Sequence, residues 1–332
     1  MRLSDLGEFG FIAEIARLAA CDDPAVVKAL GDDCAILDLG GPPLLVTTDA
    51  MLEGRHFRLD WLTPYEVGAR AMTANLSDLA AMGAEPRFAF TSLALPPSWR
   101  VEEARALVTG LVEQARRFGA CLIGGDTIAA FDRALVDVMV IGVAQGAVWR
   151  RDGARLGDAV CVTGVLGGSG AALTARLAGL EDIPCWPRYA APVPRVVEAL
   201  ALNQVGGISA ALDLSDGLVQ DAGHICEQSG VGIRLYAERV PVDPGAVAVA
   251  EALGSKARDW ALVGGEDFEL LLTTPPDNVA QLQGAIELPL TVIGEVVEGG
   301  EVTILDERGE PLEVSRGGWD HFAQSSHGGV SP

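Results

Sequence analysis

Strand-like and helix-like segments alternate along the chain, the pattern of an α/β or α+β protein. The apolar run Leu44-Leu45-Val46-Thr47-Thr48 reads as a strand ending at Asp49. Thr63-Pro64-Tyr65-Glu66 is a capping box with proline at the first helical position. The helix it opens is predicted to run to about Met82, with Gly83 as its stop. A second helix is predicted from Ser98 to near Gly119. Cys121-Leu122-Ile123 reads as a short buried strand running into Gly124-Gly125-Asp126, and Leu135 to Ala144 as a long strand.

The pattern breaks at Gly146-Ala147-Val148-Trp149-Arg150-Arg151-Asp152-Gly153. Two domains are therefore predicted, 1–148 and 149–332, as the length of 332 residues also suggests. A new strand starts at Asp158 and ends at Thr163. The Gly-rich turn 164–170 and a helix follow it. Ser209 to Leu214 is a strand leading into Ser215-Asp216-Gly217 and a helix, and Phe268 to Thr273 is a strand after Gly264-Gly265-Glu266-Asp267. The tail from Ala323 is polar and expected to fray. Asn75-Leu76-Ser77-Asp78 echoes Asp213-Leu214-Ser215-Asp216, and Gly124-Gly125-Asp126 echoes Gly264-Gly265-Glu266-Asp267. Two related halves would produce such echoes, and so would chance.

Composition narrows the class. Lys+Arg is 24 and Asp+Glu is 46, a formal net charge of −22. That argues against a protein that binds nucleic acid by neutralising phosphates. With 49% hydrophobic residues the chain is no disordered acidic tail. Cationic side chains are almost all arginine; the lysines are Lys28 and Lys256, and neither follows a Gly-rich loop, so no P-loop is present. The cysteines at 21, 34, 121, 161, 185 and 226 form no C-x-x-C, which favours buried free thiols in a reducing cytoplasm over a zinc site. No signal peptide is apparent, and the apolar stretch 134–148 is interrupted by Asp137 and Gln145, so no membrane span is expected.

The chemistry sits in the aspartates. Asp32 and Asp33 lie in a Gly-Asp-Asp-Cys turn, Asp49 and Asp213 end strands, Asp126 follows Gly-Gly, and Asp216 precedes a helix. Asp78 lies in a helix dominated by Ala, Leu and Met, three residues after Asn75 and on the same face. Carboxylates at strand ends are where α/β proteins place ligand sites, and hard cations want oxygen ligands. Each aspartate also has a plainer reading: a turn former, a helix cap at Asp216, a solvated loop at Asp32-Asp33, a polar helix edge at Asp78. The Gly-rich turn suits either phosphate binding at a helix N-terminus or close packing of helix on strand. His56, just after the Asp49 strand, could reach a site there, whereas His224 reads as structural.

These segments, in order, resemble the thiamine-monophosphate kinases of the aminoimidazole ribonucleotide synthetase superfamily. The resemblance rests on Gly7-Glu8-Phe9, Gly31-Asp32-Asp33-Cys34, Thr47-Thr48-Asp49, Glu53-Gly54-Arg55-His56-Phe57, and Asn75 through Ala84. It continues through Gly124-Gly125-Asp126-Thr127, Asp213 through Leu218, Gly264-Gly265-Glu266-Asp267 and Gly318-Trp319-Asp320-His321-Phe322. It implies an ATP- and Mg²⁺-binding N-terminal domain that dimerises through its sheet, and a C-terminal α/β sandwich domain. It implies ATP-dependent phosphorylation of thiamine monophosphate to thiamine diphosphate, by direct transfer at a site holding several Mg²⁺ ions, with K⁺ a candidate monovalent ion. The resemblance puts metal ligands at Asp33, Thr47, Thr48, Asp49, Asp78, Asp126, Asp213 and Asp216, and nucleotide contacts at Gly125, Asp126, Arg151 and Ser215. Acceptor contacts fall at His56, Glu266 and Trp319. The family often has tyrosine at the positions of Trp319 and Phe268; tryptophan keeps a flat face but lacks the hydroxyl.

The charges agree with those roles. ATP brings about −4, the acceptor phosphate about −2 and six aspartates about −6, a sum near −12 that needs divalent cations to assemble. An ionised acceptor phosphate needs no strong general base, so no catalytic base is assigned. Rivals within the superfamily fit less well. A selenophosphate synthetase would want a reactive N-terminal Cys, and the hydrogenase-maturation relative a C-terminal one, but this chain ends Gly329-Val330-Ser331-Pro332. Rivals from other classes are a non-catalytic thiamine-phosphate binder and an acidic cation binder, which an ADP-release assay and calorimetry would separate from the enzyme.

Overall fold

The computed structural model describes Gly10, Ile12, residues 23–29 and residues 31–313. The motifs Gly7-Glu8-Phe9 and Gly318 through Phe322, with Trp319, and the tail 323–332 lie outside the described residues. The first half runs β1 (Val26–Lys28), β2 (Ala35–Leu37), β3 (Leu44–Leu52), α1 (Pro64–Ala81), β4 (Ala84–Leu95), α2 (Val101–Arg117), β5 (Cys121–Ala129) and β6 (Leu135–Ala144). The second half runs β7 (Ala159–Thr163), α3 (Gly168–Leu177), α4 (Trp186–Ala190), α5 (Val196–Val205), β8 (Ala210–Asp213), α6 (Leu218–Ser229) and β9 (Gly232–Tyr236). It ends with α7 (Pro244–Leu253), α8 (Ala257–Val263), β10 (Leu270–Thr274), α9 (Val279–Gln283), β11 (Leu290–Val297) and β12 (Val302–Leu305).

The strands of the first half form one sheet in the order β1-β2-β3-β6-β4-β5. β3 does not stop at Asp49. It runs on to Leu52 because β6 pairs with it antiparallel along its whole length, from Leu44↔Val143 to Leu52↔Leu135. Alternation then sets the faces: Leu45, Thr47, Asp49 and Met51 point to the helices, while Val46, Thr48 and Ala50 point away. β5 is longer than the predicted buried segment and is mostly exposed, Cys121 included, because among the described residues it is an edge strand that pairs with β4 alone.

Helix α1 forms as its cap predicts. Thr63 N–H donates to Glu66 Oε2 at 2.7 Å and Glu66 N–H donates back to Thr63 Oγ1 at 3.3 Å. Gly83 takes the left-handed conformation that ends it (φ 67°). α1 is buried nearly all round, because it packs on the first sheet, on α2 and on the second half of the chain. α2 starts at Val101, three residues beyond Ser98: a turn spans 96–99, and Glu103 Oε2 accepts from Arg100 N–H at 2.7 Å, so Arg100 is the N-cap.

The second sheet has the order β12-β9-β11-β7-β10-β8. Every residue of β7, β8 and β10 is buried, as expected for strands covered on both faces. One core cluster, with Val160, Val162 and Leu212, lies on the α6 side. The other, with Cys161, Leu270 and Leu272, continues without a break into the core between the first sheet and α1. Among the described residues, helices cover the first sheet on one face only. Its other face carries exposed Phe88 and Ile128 beside half-buried Phe90, Met139, Ile141 and Val143. No helix among the described residues is long and apolar enough to cross a membrane.

Candidate active site

Four segments converge where α1 meets the two sheets. Asp33, in the loop before β2, Asp78, near the C-terminal end of α1, and Asp213, the last residue of β8, each place a carboxylate oxygen within 4.8 Å of the others. Neighbouring side chains hold them in place. Thr47 Oγ1 donates to Asp78 Oδ2, and Ser77 Oγ donates to Asp213 Oδ2 at 2.6 Å. Arg151 binds Asp33, with its Nη2 2.5 Å from Oδ1. Asp49 adds a fourth charge, close enough to disfavour ionisation of both Asp78 and Asp213.

Such a group resists ionising together. Burial, then Asp49, Asp213 and Asp33, hold the Asp78 carboxyl well above the usual carboxylate range. Burial, then Asp33, pushes Asp213 up to about 8. Asp32, beside Asp33, is pushed up to about 6 by burial and by that neighbour. Arg151 supplies one positive charge, too little for these carboxylates. The donor set is all oxygen, so a hard divalent cation fits it.

A second acidic group lies alongside. Asp216, Asp221 and His224 place ligand atoms within 4.8 Å of one another. Asp221 belongs to none of the motifs above, yet it orders this loop. Its Oδ2 accepts from the N–H groups of Ser215, Asp216 and Gly217 at 3.1, 3.1 and 3.0 Å. The one signal for it in the sequence is an acid in the first turn of the helix after Ser-Asp-Gly, a capping position. His224, expected to be structural, points into this group, and burial and Arg151 lower its proton affinity.

Glu266 stands on a loop between α8 and β10 with a left-handed backbone (φ 60°), as does Phe268 (φ 51°). That is why β10 begins at Leu270 instead of Phe268. Glu266 N–H donates to Ser215 O at 2.8 Å, so the two loops are joined. Gly265 permits the approach, since a Cβ there would sit 2.5 Å from Ser215 O. The Glu266 carboxylate pairs with Arg70 of α1. His56 lies in the turn after β3, where its Nδ1 accepts from Leu52 N–H at 3.0 Å, so the neutral ring carries its proton on Nε2.

Three predicted residues lie apart from the cluster. Thr48 Oγ1 donates to Asp137 Oδ1 at 3.0 Å on the open face of the first sheet. Register carries that face onward: Asp137 aligns with Ser92, and Ser92 with Asp126. Gly125 and Asp126 thus stand on edge strand β5, three strand spacings or about 14 Å from β3, and Asp126 faces away from Asp78.

The Gly-rich turn before α3 holds an anion of the chain itself. The N–H groups of Gly167 and Ser169 donate to the Asp267 carboxylate at 2.7 and 3.4 Å. The turn's glycines also serve packing, as a Cβ on Gly167 would lie 2.6 Å from Ala261 N. The phosphate reading of this turn is therefore replaced by an internal helix cap. The sequence echoes do not mark equivalent structure either. Asn75 through Asp78 is helical, while Asp213 through Asp216 leaves a strand end.

The chain as a whole has relatives among known proteins. The family model "AIR synthase related protein, N-terminal domain" matches residues 31–144, and the corresponding C-terminal domain model matches 155–307. The thiamine-monophosphate kinase of Aquifex aeolicus is 35% identical over 327 residues, covering 97% of this chain and 100% of that protein. The enzyme of Mycobacterium tuberculosis is also 35% identical, over 98% of this chain and 95% of its own. Among solved structures, AaThiL complexed with AMPPCP and TMP superposes with a TM-score of 0.85 at 32% identity, covering 97% of this chain and 99% of that one. The hydrogenase maturation protein HypE, at 21% identity and a TM-score of 0.71, shares the fold.

Proposed function

The chain belongs to the thiamine-monophosphate kinase family of AIR synthase related proteins, and from that premise we propose that it transfers the γ-phosphoryl group of ATP directly to thiamine monophosphate. The observation that carries the reading is the Asp33–Asp78–Asp213 group, whose oxygens lie within 4.8 Å of one another on the framework shared with the AMPPCP and TMP complex.

In the proposed reaction an ionised phosphate oxygen of thiamine monophosphate attacks the γ-phosphorus of ATP. One P–O bond forms, the bond to the β–γ bridging oxygen breaks, and ADP leaves with that electron pair. The attacking oxygen carries no proton, which fits the absence of an assigned base. The residues present fit Mg²⁺: Asp33, Asp49, Asp78, Asp213 and Asp216, with Thr47, are oxygen donors, and bound Mg²⁺ would neutralise the phosphates in a chain that has no P-loop lysine; the Thr48 hydroxyl, turned to the open face toward Asp137, stands outside that set. Ser215 and Arg151 are proposed to contact the nucleotide. His56, Glu266 and Trp319 are proposed to hold the acceptor. Asp221 keeps the Ser215-Asp216-Gly217 backbone in one conformation for that purpose.

Gly125 and Asp126 keep their proposed nucleotide and metal roles through a homodimer. The open apolar face of the first sheet, with Phe88 and Ile128 exposed, supports a second copy packing there. In that reading the two-domain division at 148/149 separates the dimerising half from the α/β half, and Asp126 of one protomer serves the site of the other. Phosphorus NMR of the protein with ATP, Mg²⁺ and thiamine monophosphate tests the reaction. Thiamine diphosphate is expected to appear together with ADP, and neither without the acceptor. ADP formed without thiamine diphosphate would mean a different acceptor.

A further inference from the structure

Arg70 has no role in the assignments above, yet it is among the largest fully buried side chains of the protein. It lies on α1, eight residues before Asp78, which at 1.5 Å rise per residue is about 12 Å along the helix. Its Nη1 donates to the carbonyl oxygen of Tyr189, its Nη2 donates to Glu266 Oε2, and its guanidinium stacks 4.1 Å from the centroid of the Tyr189 ring. Among the described residues Glu266 is its one ion-pair partner. An arginine cannot shed its proton, so burying it unpaired is costly, and a partner carboxylate is held firmly.

Glu266 needs such a hold. It stands in a left-handed conformation that non-glycine residues rarely adopt, and its side chain is 25% exposed where that of Arg70 is 0% exposed. The exposed side is the one a ligand can reach. One arm of the guanidinium holds Oε2 while the other is tied to the Tyr189 carbonyl, which leaves Oε1 as the oxygen to meet a ligand.

We propose that Arg70 is a positioning residue that aims Glu266 at the phosphoryl acceptor and, through α1, keeps the acceptor site in register with the Asp78 group. This rests on the reading that Glu266 contacts the acceptor. Since the guanidinium offsets the charge of Glu266, the carboxylate acts as a directed hydrogen-bond acceptor more than as a bare negative charge. A lysine at 70 can keep the charge but cannot bind Glu266 and the Tyr189 carbonyl with one planar group.

The test is steady-state kinetics of Arg70→Lys, Arg70→Met, Glu266→Gln and the double variant Arg70→Met/Glu266→Gln, with thermal unfolding of each. Arg70→Lys is expected to raise KM for thiamine monophosphate about tenfold while KM for ATP changes less than about twofold. The double variant is expected to be no worse in kcat/KM for the acceptor than the worse single variant, because the two residues act as one unit. If Arg70→Met does not fold, Arg70→Lys and Glu266→Gln carry the test. Equal effects on both substrates, or an unchanged acceptor KM in a folded Arg70→Lys, would overturn the proposal. A wild-type protein that makes no thiamine diphosphate would instead overturn the reaction assigned above.

Discussion

An acid amid Ala, Leu and Met on a helix, as Asp78 is, serves either as a polar edge or as a ligand. Its Thr47 partner and two neighbouring aspartates support the second. Its ionisation is opposed by burial and by Asp49, Asp213 and Asp33, so its charged form is disfavoured until a cation offsets it. Asp78→Asn is therefore expected to stabilise the metal-free protein, by about 1 kcal/mol, measured as a rise in the thermal midpoint in EDTA. A fall would mean that the carboxylate is already satisfied without metal. The part played by Arg70 is not legible in the sequence, and that of Asp221 is signalled only by an acid in the first turn of its helix. Asp221 meets backbone N–H groups four to six residues away, whereas the partner of Arg70 is a carboxylate 196 residues away that nothing in the local sequence announces.

At the scale of elements, local signals work where the chain meets itself within a few residues and fail where a distant strand decides. The capping box and Gly83 bound α1 correctly, since both act within one turn. The end of β3 differs from the local expectation because β6 decides it, and β5 is exposed, not buried, because its edge position cannot be seen locally. α1 and α2 meet through a pair of glycines: a Cβ on Gly68 would lie 2.0 Å from Leu107 O, and one on Gly110 2.0 Å from Tyr65 O. Gly68→Ala must push the helices apart, and is expected to cost about 2–3 kcal/mol in denaturant unfolding. A cost near zero would mean that the contact is loose. At the start of α3, burial pushes Asp267 up to about 7, from 3.8. The folded chain then keeps a proton that the unfolded chain releases. This group's contribution to stability is full below about pH 4 and is lost as pH rises through about 7. Thermal midpoints across that range should fall less steeply in Asp267→Asn than in the wild type; parallel curves would assign the slope to other groups.

For the molecule as a whole, the contrast between its two sheets is the informative feature. Among the described residues the second is covered on both faces, and the first leaves an apolar face open. Thr48, Asp137 and Asp126 share that open face, so a protomer alone keeps Asp126 from the Asp33–Asp78–Asp213 group. The sequence lists these aspartates in one family order without saying that they lie on opposite faces of a sheet. Phe88→Glu, on the open face, is expected to yield a folded monomer by analytical ultracentrifugation, with activity reduced at least about 100-fold if the partner's Asp126 completes the site. A fully active monomer would show that each protomer is self-sufficient.

In the proposed reaction oxygen donors gather cations around phosphates, and its dependence on Mg²⁺ reports on that proposal. The measurement is the rate of thiamine diphosphate formation against Mg²⁺ concentration, for the wild type and Asp78→Asn in parallel. The wild-type curve should rise steeply beyond the concentration that saturates ATP, and Asp78→Asn should be slower by at least about 100-fold at limiting Mg²⁺. An Asp78→Asn enzyme with near-wild-type turnover at low Mg²⁺ would place the chemistry elsewhere.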